Sequence, residues 1–233
     1  MKLLRIACFV AALFALLRNV SGQGFVNLNF EQATITPDPS SPYYPYAVYA
    51  SNAIPGWTAI GILSPDIIYN DLSLGATSVS LVGTNDQYGP DSLVGAYSID
   101  LYGGVEGPAA GASISQTGLV PTNALSLRFV ASGGGPGGGP LLVTLDGQNI
   151  PISAIGTGPD YTMYGGNISA FADQIEQLTF TAPQGNNNYW EIDDIQFSAS
   201  PIPEPGDLSL FGICLLFLCW RIKRPKALWH GFL

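Results

Sequence analysis

The chain has 233 residues, with eight Lys plus Arg against 17 Asp plus Glu and a formal net charge of −9. Apart from Arg128, every base precedes residue 23 or follows residue 220, and only Glu204 and Asp207 among the acids lie beyond Ile202, so Gln23–Ile202 holds 15 acids, one base and a formal charge of −14. That balance excludes nucleic acid and anionic lipid as partners of the middle region, because binding phosphate needs cationic side chains.

The N-terminus reads as a secretory signal peptide over residues 1–22. Lys2 and Arg5 give a positive start, Leu3 to Leu17 is almost wholly apolar, and Val20-Ser21-Gly22 offers small residues for cleavage before Gln23. The apolar run is shorter than the ~20 residues a membrane span needs.

Residues 23–198 read as one all-β domain, large enough to bury a core without staples. Short apolar or alternating runs are separated by Gly, Pro, Asn and Asp clusters. The expected strands are Phe25–Phe30, Asp66–Tyr69, Ser78–Val82, Ala96–Leu101, Ala112–Gln116, Ala124–Ala131, Leu141–Leu145, Ile175–Thr181 and Tyr189–Ser198. Leu127 and Phe129 should face inward, and Asp146-Gly147 should form a tight turn. Thr36–Tyr49, with four prolines and four tyrosines, Gly133–Pro140 and Ser198–Pro205 read as loops. Eight or nine strands in one domain favour a two-sheet sandwich of jelly-roll type.

All three cysteines (Cys8, Cys214, Cys219) and the single histidine, His230, lie outside the domain, and it has no lysine. Disulfides, Cys-ligated metals and triads of the Ser-His-Asp or Cys-His type are therefore excluded there. Gly133–Pro140 lacks the Gly-Lys-Ser/Thr of a phosphate-binding loop. A glycosidase using two carboxylates is the one chemistry left open, and the expectation is that the protein is not an enzyme. In the last run, Trp190 and Ile192 facing inward would also turn Asp194 inward. A buried carboxylate is costly unless paired or metal-bound, so Glu31, Asp193 and Asp194 are candidate ligands for a structural calcium. The opposing reading is a β-bulge or strand end that exposes both aspartates. The tyrosines offer stacking faces for sugar rings, and Tyr43, Tyr44, Tyr46 and Tyr49 are the candidates that prolines hold out of a sheet. Trp57 reads as core. Asn167-Ile168-Ser169 fits an N-glycosylation sequon.

Residues 199–207 form a Pro-rich linker. Leu208–Trp220 is apolar and leads into Arg221, Lys223, Arg224 and Lys226, giving a hydrophobic segment with a basic stop over 208–226 and a short tail, 227–233. The positive cluster places that end on the cytoplasmic side.

Ile202-Pro203-Glu204-Pro205, the apolar run and the basic cluster together resemble the PEP-CTERM sorting signal, a tail also catalogued as an ice-binding protein C-terminal domain. Cys214 and Cys219 within the run, and residues 227–233 beyond the stop, depart from the usual pattern. The resemblance implies that Pro203, Glu204, Pro205, Arg221, Lys223 and Arg224 form the sorting motif. It also implies processing by an exosortase-type membrane enzyme and export to the envelope or extracellular matrix of a Gram-negative bacterium that makes exopolysaccharide. The middle resembles galactose-binding-like jelly rolls of the DUF642 or choice-of-anchor kind. Asn27-Leu28-Asn29-Phe30-Glu31, Ile54-Pro55-Gly56-Trp57-Thr58, Ser98–Gly103, Ile114–Thr117 and Ile192-Asp193-Asp194-Ile195 carry that likeness. It implies a sandwich flanked by a signal helix and a sorting helix, with calcium held by Glu31 and one of Asp193 or Asp194. The combined expectation is an exported, polysaccharide-binding surface protein, at least transiently held at the membrane by its C-terminal segment. A purely structural biofilm protein and a carboxylate-only glycosidase are the alternatives.

Overall fold

The structure, a computed structural model, describes residues 23–70, 76–84, 91–134, 139–185 and 188–202. The signal segment and the tail from Pro203 onward, with its sorting motif, lie outside the described residues. Among those described, no helix is long and apolar enough to cross a membrane.

Two sheets face each other. The larger contains β1 (Ala47–Tyr49), β3 (Asp66–Tyr69), β4 (Ser78–Gly83), β5 (Tyr97–Tyr102), β7 (Ser126–Gly133), β10 (Ser153–Thr157), β11 (Thr162–Asn167) and β13 (Tyr189–Ser198). Its strand order is β1-β3-β4-β5-β13-β7-β11-β10. The smaller contains β2 (Thr58–Ile60), β6 (Ala112–Leu119), β8 (Leu142–Leu145), β9 (Gln148–Asn149) and β12 (Ile175–Ala182), in the order β2-β6-β12-β8-β9. All pairings are antiparallel except β3 with β4. One turn of helix, α1 (Ala50–Ala53), follows β1.

Alternation explains the core. Successive side chains on a strand point to opposite faces. Leu178, Phe180 and Ala182 of β12 therefore meet Leu127, Phe129 and Ala131 of β7 between the sheets, all essentially buried. Phe129 packs edge-on to Phe180 with ring centroids 5.1 Å apart, and Trp57 sits 6.4 Å from Phe180 and 5.7 Å from Phe30. The inward settings of Leu127 and Phe129, and the core position of Trp57, match the sequence reading. Asp146 and Gly147 both adopt left-handed φ (47° and 75°), the geometry of a two-residue turn between twisted strands.

The expected first strand does not form. Asn27 and Phe30 adopt φ of 50° and 57°, which breaks an extended chain. A side chain takes the place of a strand partner: Val26 N–H donates to Gln116 Oε1 (2.6 Å), and Gln116 Nε2 donates to Val26 O (3.0 Å). Phe30 is buried all the same, and the partly buried Phe25 stacks on Phe197 at 4.8 Å. Conversely, β1, β2, β9, β10 and β11 had no legible signal. They are two to six residues long and rich in Gly, Ser, Thr and Asn, or lie beside prolines.

Replacing Phe180 with Ala should lower the unfolding free energy by about 3–5 kcal/mol in a denaturant titration, through the cavity left between the sheets. Leu142→Ala, on the exposed face of β8, should cost under about 1 kcal/mol.

Candidate functional site

The proline- and tyrosine-rich segment forms an arm at one edge of the larger sheet. Asp38 N–H donates to Ala47 O (2.9 Å) and Tyr49 N–H to Thr36 O (3.1 Å), so residues 36–38 run back along the edge strand β1. The intervening loop projects, and the Tyr44–Pro45 peptide in it is cis. Tyr43, Tyr44, Tyr46 and Tyr49 are 39, 59, 43 and 38% exposed. Buried tyrosines normally serve packing; four half-exposed rings within seven residues instead offer a stacking surface.

Buried Asp38 forms the root of the arm. Its Oδ1 accepts Ser40 N–H (2.8 Å), Ser40 Oγ–H (2.7 Å) and the Tyr49 hydroxyl (3.0 Å). Asp66 stands opposite Tyr49 in the β1–β3 register, where it neighbours Asp38. The Ser40 N–H and hydroxyl, helped by Tyr49, hold the Asp38 carboxyl below the usual carboxylate range. Burial, then the neighbouring Asp38, push Asp66 up. Donation to Asp38 raises the Tyr49 phenol, so Tyr49 remains a neutral donor. The Tyr49 hydroxyl bond to Asp38 locks one ring of the arm.

The calcium candidates lie elsewhere. Along β13, Trp190 and Ile192 face the core, and then a bulge interrupts the register between Asp193 and Gln196. Asp194 takes the bulge position with φ of 46°, and Ile195 resumes the inward face. Asp194 therefore does not turn into the core; it is partly exposed and accepts from Gln196 Nε2 (2.7 Å). Asp193 is the buried acid, fully enclosed on the opposite face. Its oxygens accept Asp194 N–H (2.6 Å) and Val94 N–H (3.0 Å). Burial pushes its pKa up to about 8; the two N–H bonds oppose the shift, and the Asp194 and Glu31 charges add to it. Glu31 lies in an exposed turn, where Oε1 accepts Ala96 N–H (2.7 Å) and Tyr97 N–H (3.2 Å). Gly95 beside it has φ of 71°, and an added Cβ would strike Glu31 Oε1. The bulge that sequence reading weighed as exposing both aspartates is present, yet it buries one and exposes the other. The donor chemistry suits a hard cation: the acids are oxygen donors, and Arg128, the one base among the described residues, bonds Ser126 and Ser200 instead. Among the described residues, no three acid, His or Cys side chains form a metal cluster, so side-chain acids alone do not complete a shell.

Besides Asp38 and Asp193, three further described acids are buried: Asp100, Glu176 and Glu191. Asp100 pairs with Ser80 on one side and Glu191 on the other, across the outer face of the larger sheet. Asp100 and Glu191 are both buried, and Ser98 Oγ–H donates to Glu191 Oε1 in a short hydrogen bond. Glu176 points between the sheets, pushed up by burial and then by Asp146, and its Oε2 has no hydrogen-bond partner. Alternation with Ile99 and Leu101 gives the face of Asp100, but the covering of that face is a long-range property.

No protein-family profile and no curated protein matches the chain. Among solved structures, a cyclase in apo form from Fischerella sp. is similar at 14% identity, over 75% of this chain and 93% of that one, with a TM-score of 0.42. The enzymatically active domain of tailspike protein 4 from Bacteriophage CBA120 is similar at 18% identity, over 60% of this chain and 19% of that one, with a TM-score of 0.33. A family 11 carbohydrate-binding module from Clostridium thermocellum, in complex with a β-1,3-1,4-mixed-linked tetrasaccharide, is similar at 11% identity, over 64% of this chain and 92% of that one, with a TM-score of 0.35. At these scores none assigns an activity or ligand to this chain. The all-β sandwich stands on its own two sheets.

The sign of the Asp193 shift fixes a pH dependence. Its folded pKa, about 8, lies above the ordinary 3.8 of an unfolded aspartate, so between those values the folded state holds a proton that the unfolded state has lost. The stability this group contributes is full below about pH 4 and is lost as pH rises toward 8. Thermal melting of chelator-treated protein from pH 4 to 9 should show that decline, and Asp193→Asn should flatten it.

Proposed function

We propose that the chain is an exported, non-enzymatic protein of the cell envelope or extracellular matrix that binds neutral polysaccharide at the tyrosine edge of its sandwich. The four half-exposed tyrosines on one short arm are the observation that carries this reading. Sugars present C–H faces to aromatic rings, and the arm offers four half-exposed rings with their hydroxyls, while the buried Asp38 fixes Tyr49. The formal charge of −14 over Gln23–Ile202 favours neutral over acidic glycans. The residues that carry out acyl transfer or metal hydrolysis elsewhere, His, Cys and Lys, are absent from Gln23–Ile202.

Export is supported by the layout of residues 1–22. Sorting is supported by Pro203-Glu204-Pro205, the run Leu208–Trp220 and the cluster Arg221, Lys223 and Arg224, which an exosortase-type membrane enzyme would read and process. A calcium ion bound by Asp193 and Glu31, with backbone carbonyls or water completing its shell, would neutralise the buried acid and tie the turn at Glu31 to β13.

Glycan binding by the full chain tests the central reading. A Tyr44→Ala/Tyr46→Ala variant should bind a neutral polysaccharide about tenfold more weakly or worse with an unchanged melting temperature; binding indifferent to those rings would overturn the platform. Calcium should raise the melting temperature, chelator should lower it, and Asp193→Asn should abolish both responses; a flat response in the parent protein rejects the ion.

A further inference from the structure

The chain does not leave the sandwich freely after β13. Ser198 O accepts Leu125 N–H (2.8 Å), and Ser200 N–H then donates to Ser198 Oγ (3.1 Å), turning the backbone across the outer face of the larger sheet. There Ser200 O accepts two donors from β7: Ser126 Oγ–H (2.7 Å) and Arg128 Nη2–H (3.3 Å). Arg128 Nε also donates to Ser126 Oγ (3.3 Å), which joins the two into one clamp. Leu127 and Phe129 face the core, so Ser126 and Arg128 point outward by alternation.

Two residues on, Ile202 crosses the neighbouring strand. Gly165 of β11 pairs with Arg128 in the register, and its missing side chain leaves a notch on the same face. A Cβ at Gly165 would come within 2.5 Å of Ile202 Cδ1 and 3.1 Å of Ile155 Cδ1. The notch is thus occupied by the Ile202 side chain. The chain passes from β13 over β7 to β11, toward the edge strand β10.

We propose that Ser126, Arg128 and the Gly165 notch form a seat for residues 199–202, from which the C-terminal segment departs at a fixed point. The seat lies at the sheet edge opposite the tyrosine arm. From β1 to β11 is six strand spacings, roughly 29 Å along the sheet. This inference rests on the reading of the tail as an anchor and of the arm as the binding surface. Given both, the seat turns the tyrosine edge away from the membrane that holds the tail. It also explains why the domain keeps a single arginine at this place: a guanidinium on a carbonyl oxygen is a strong, directional donor.

Limited proteolysis of the full chain in detergent, with cuts mapped by mass spectrometry, tests the seat whether or not the tail is ever processed and whether or not glycan binds. In the parent protein, cuts should fall beyond Ile202. In Arg128→Ala/Ser126→Ala and in Ile202→Ser they should move into 199–202, with a cleavage rate about tenfold higher, since cutting follows the population of the open segment. Ile202→Ser alters only the linker, so a folding failure of the β7 variant leaves the test intact. Equal rates and equal cut sites in the parent and in Ile202→Ser would overturn the proposal. Loss of glycan binding with an intact seat would instead count against the function proposed above.

Discussion

Asp193, Asp38 and the exposed Glu31 are held by N–H and O–H donors, because almost no cation is available to hold them. Desolvating an acid is costly, and a charge-assisted hydrogen bond from a backbone amide is the substitute at hand. Asp193 draws on Val94 and Asp194, Glu31 on Ala96 and Tyr97, and Asp38 on Ser40. Each bond joins an acid to a loop or bulge, so the acids act as staples for irregular chain. The turn at Glu31, the bulge in β13 and the tyrosine arm all take their shape from such contacts.

The same scarcity gives the one arginine its significance. Arg128 binds neutral oxygens, Ser126 Oγ and Ser200 O, at the far edge of the sheet from the acid-rooted arm. The larger sheet therefore has two differently built ends. At β1, phenol rings face solvent over a buried acid root; at β7 and β11, a cationic clamp and a glycine notch hold the departing chain. On the proposed reading, with the tail as anchor and the arm as binding surface, the strand order sets the two apart.

A strand with strong alternation, such as Ile175–Ala182, was legible because its side chains obey a period of two. Phe25–Phe30 misled for the same reason: its apolar residues pack on or in the core, but Gln116 supplies the partner that a strand would have had. The short strands β10 and β11 gave no signal because Gly, Ser and Thr carry little hydrophobic pattern. Tyr49, expected outside any sheet, lies in β1 opposite Asp66, whereas the projection of Tyr43, Tyr44 and Tyr46 followed from their prolines. The acid at their root did not, since Asp38 and Asp66 lie 28 positions apart and meet only through the β1–β3 pairing. Likewise Asp193 and Asp194 exchanged roles through one residue of bulge, which shifts a strand by one position and reverses its faces.

The most direct measurement is a hydrogen-exchange footprint of the full chain with and without a saturating neutral polysaccharide. Binding at the tyrosine edge predicts slowed exchange over residues 38–49 and the facing strand Asp66–Tyr69, with the seat at 126–128 and 199–202 unchanged. Protection confined to another surface, such as 98–102 with 189–193, would contradict recognition at that edge, as would exchange unaltered by every neutral polysaccharide.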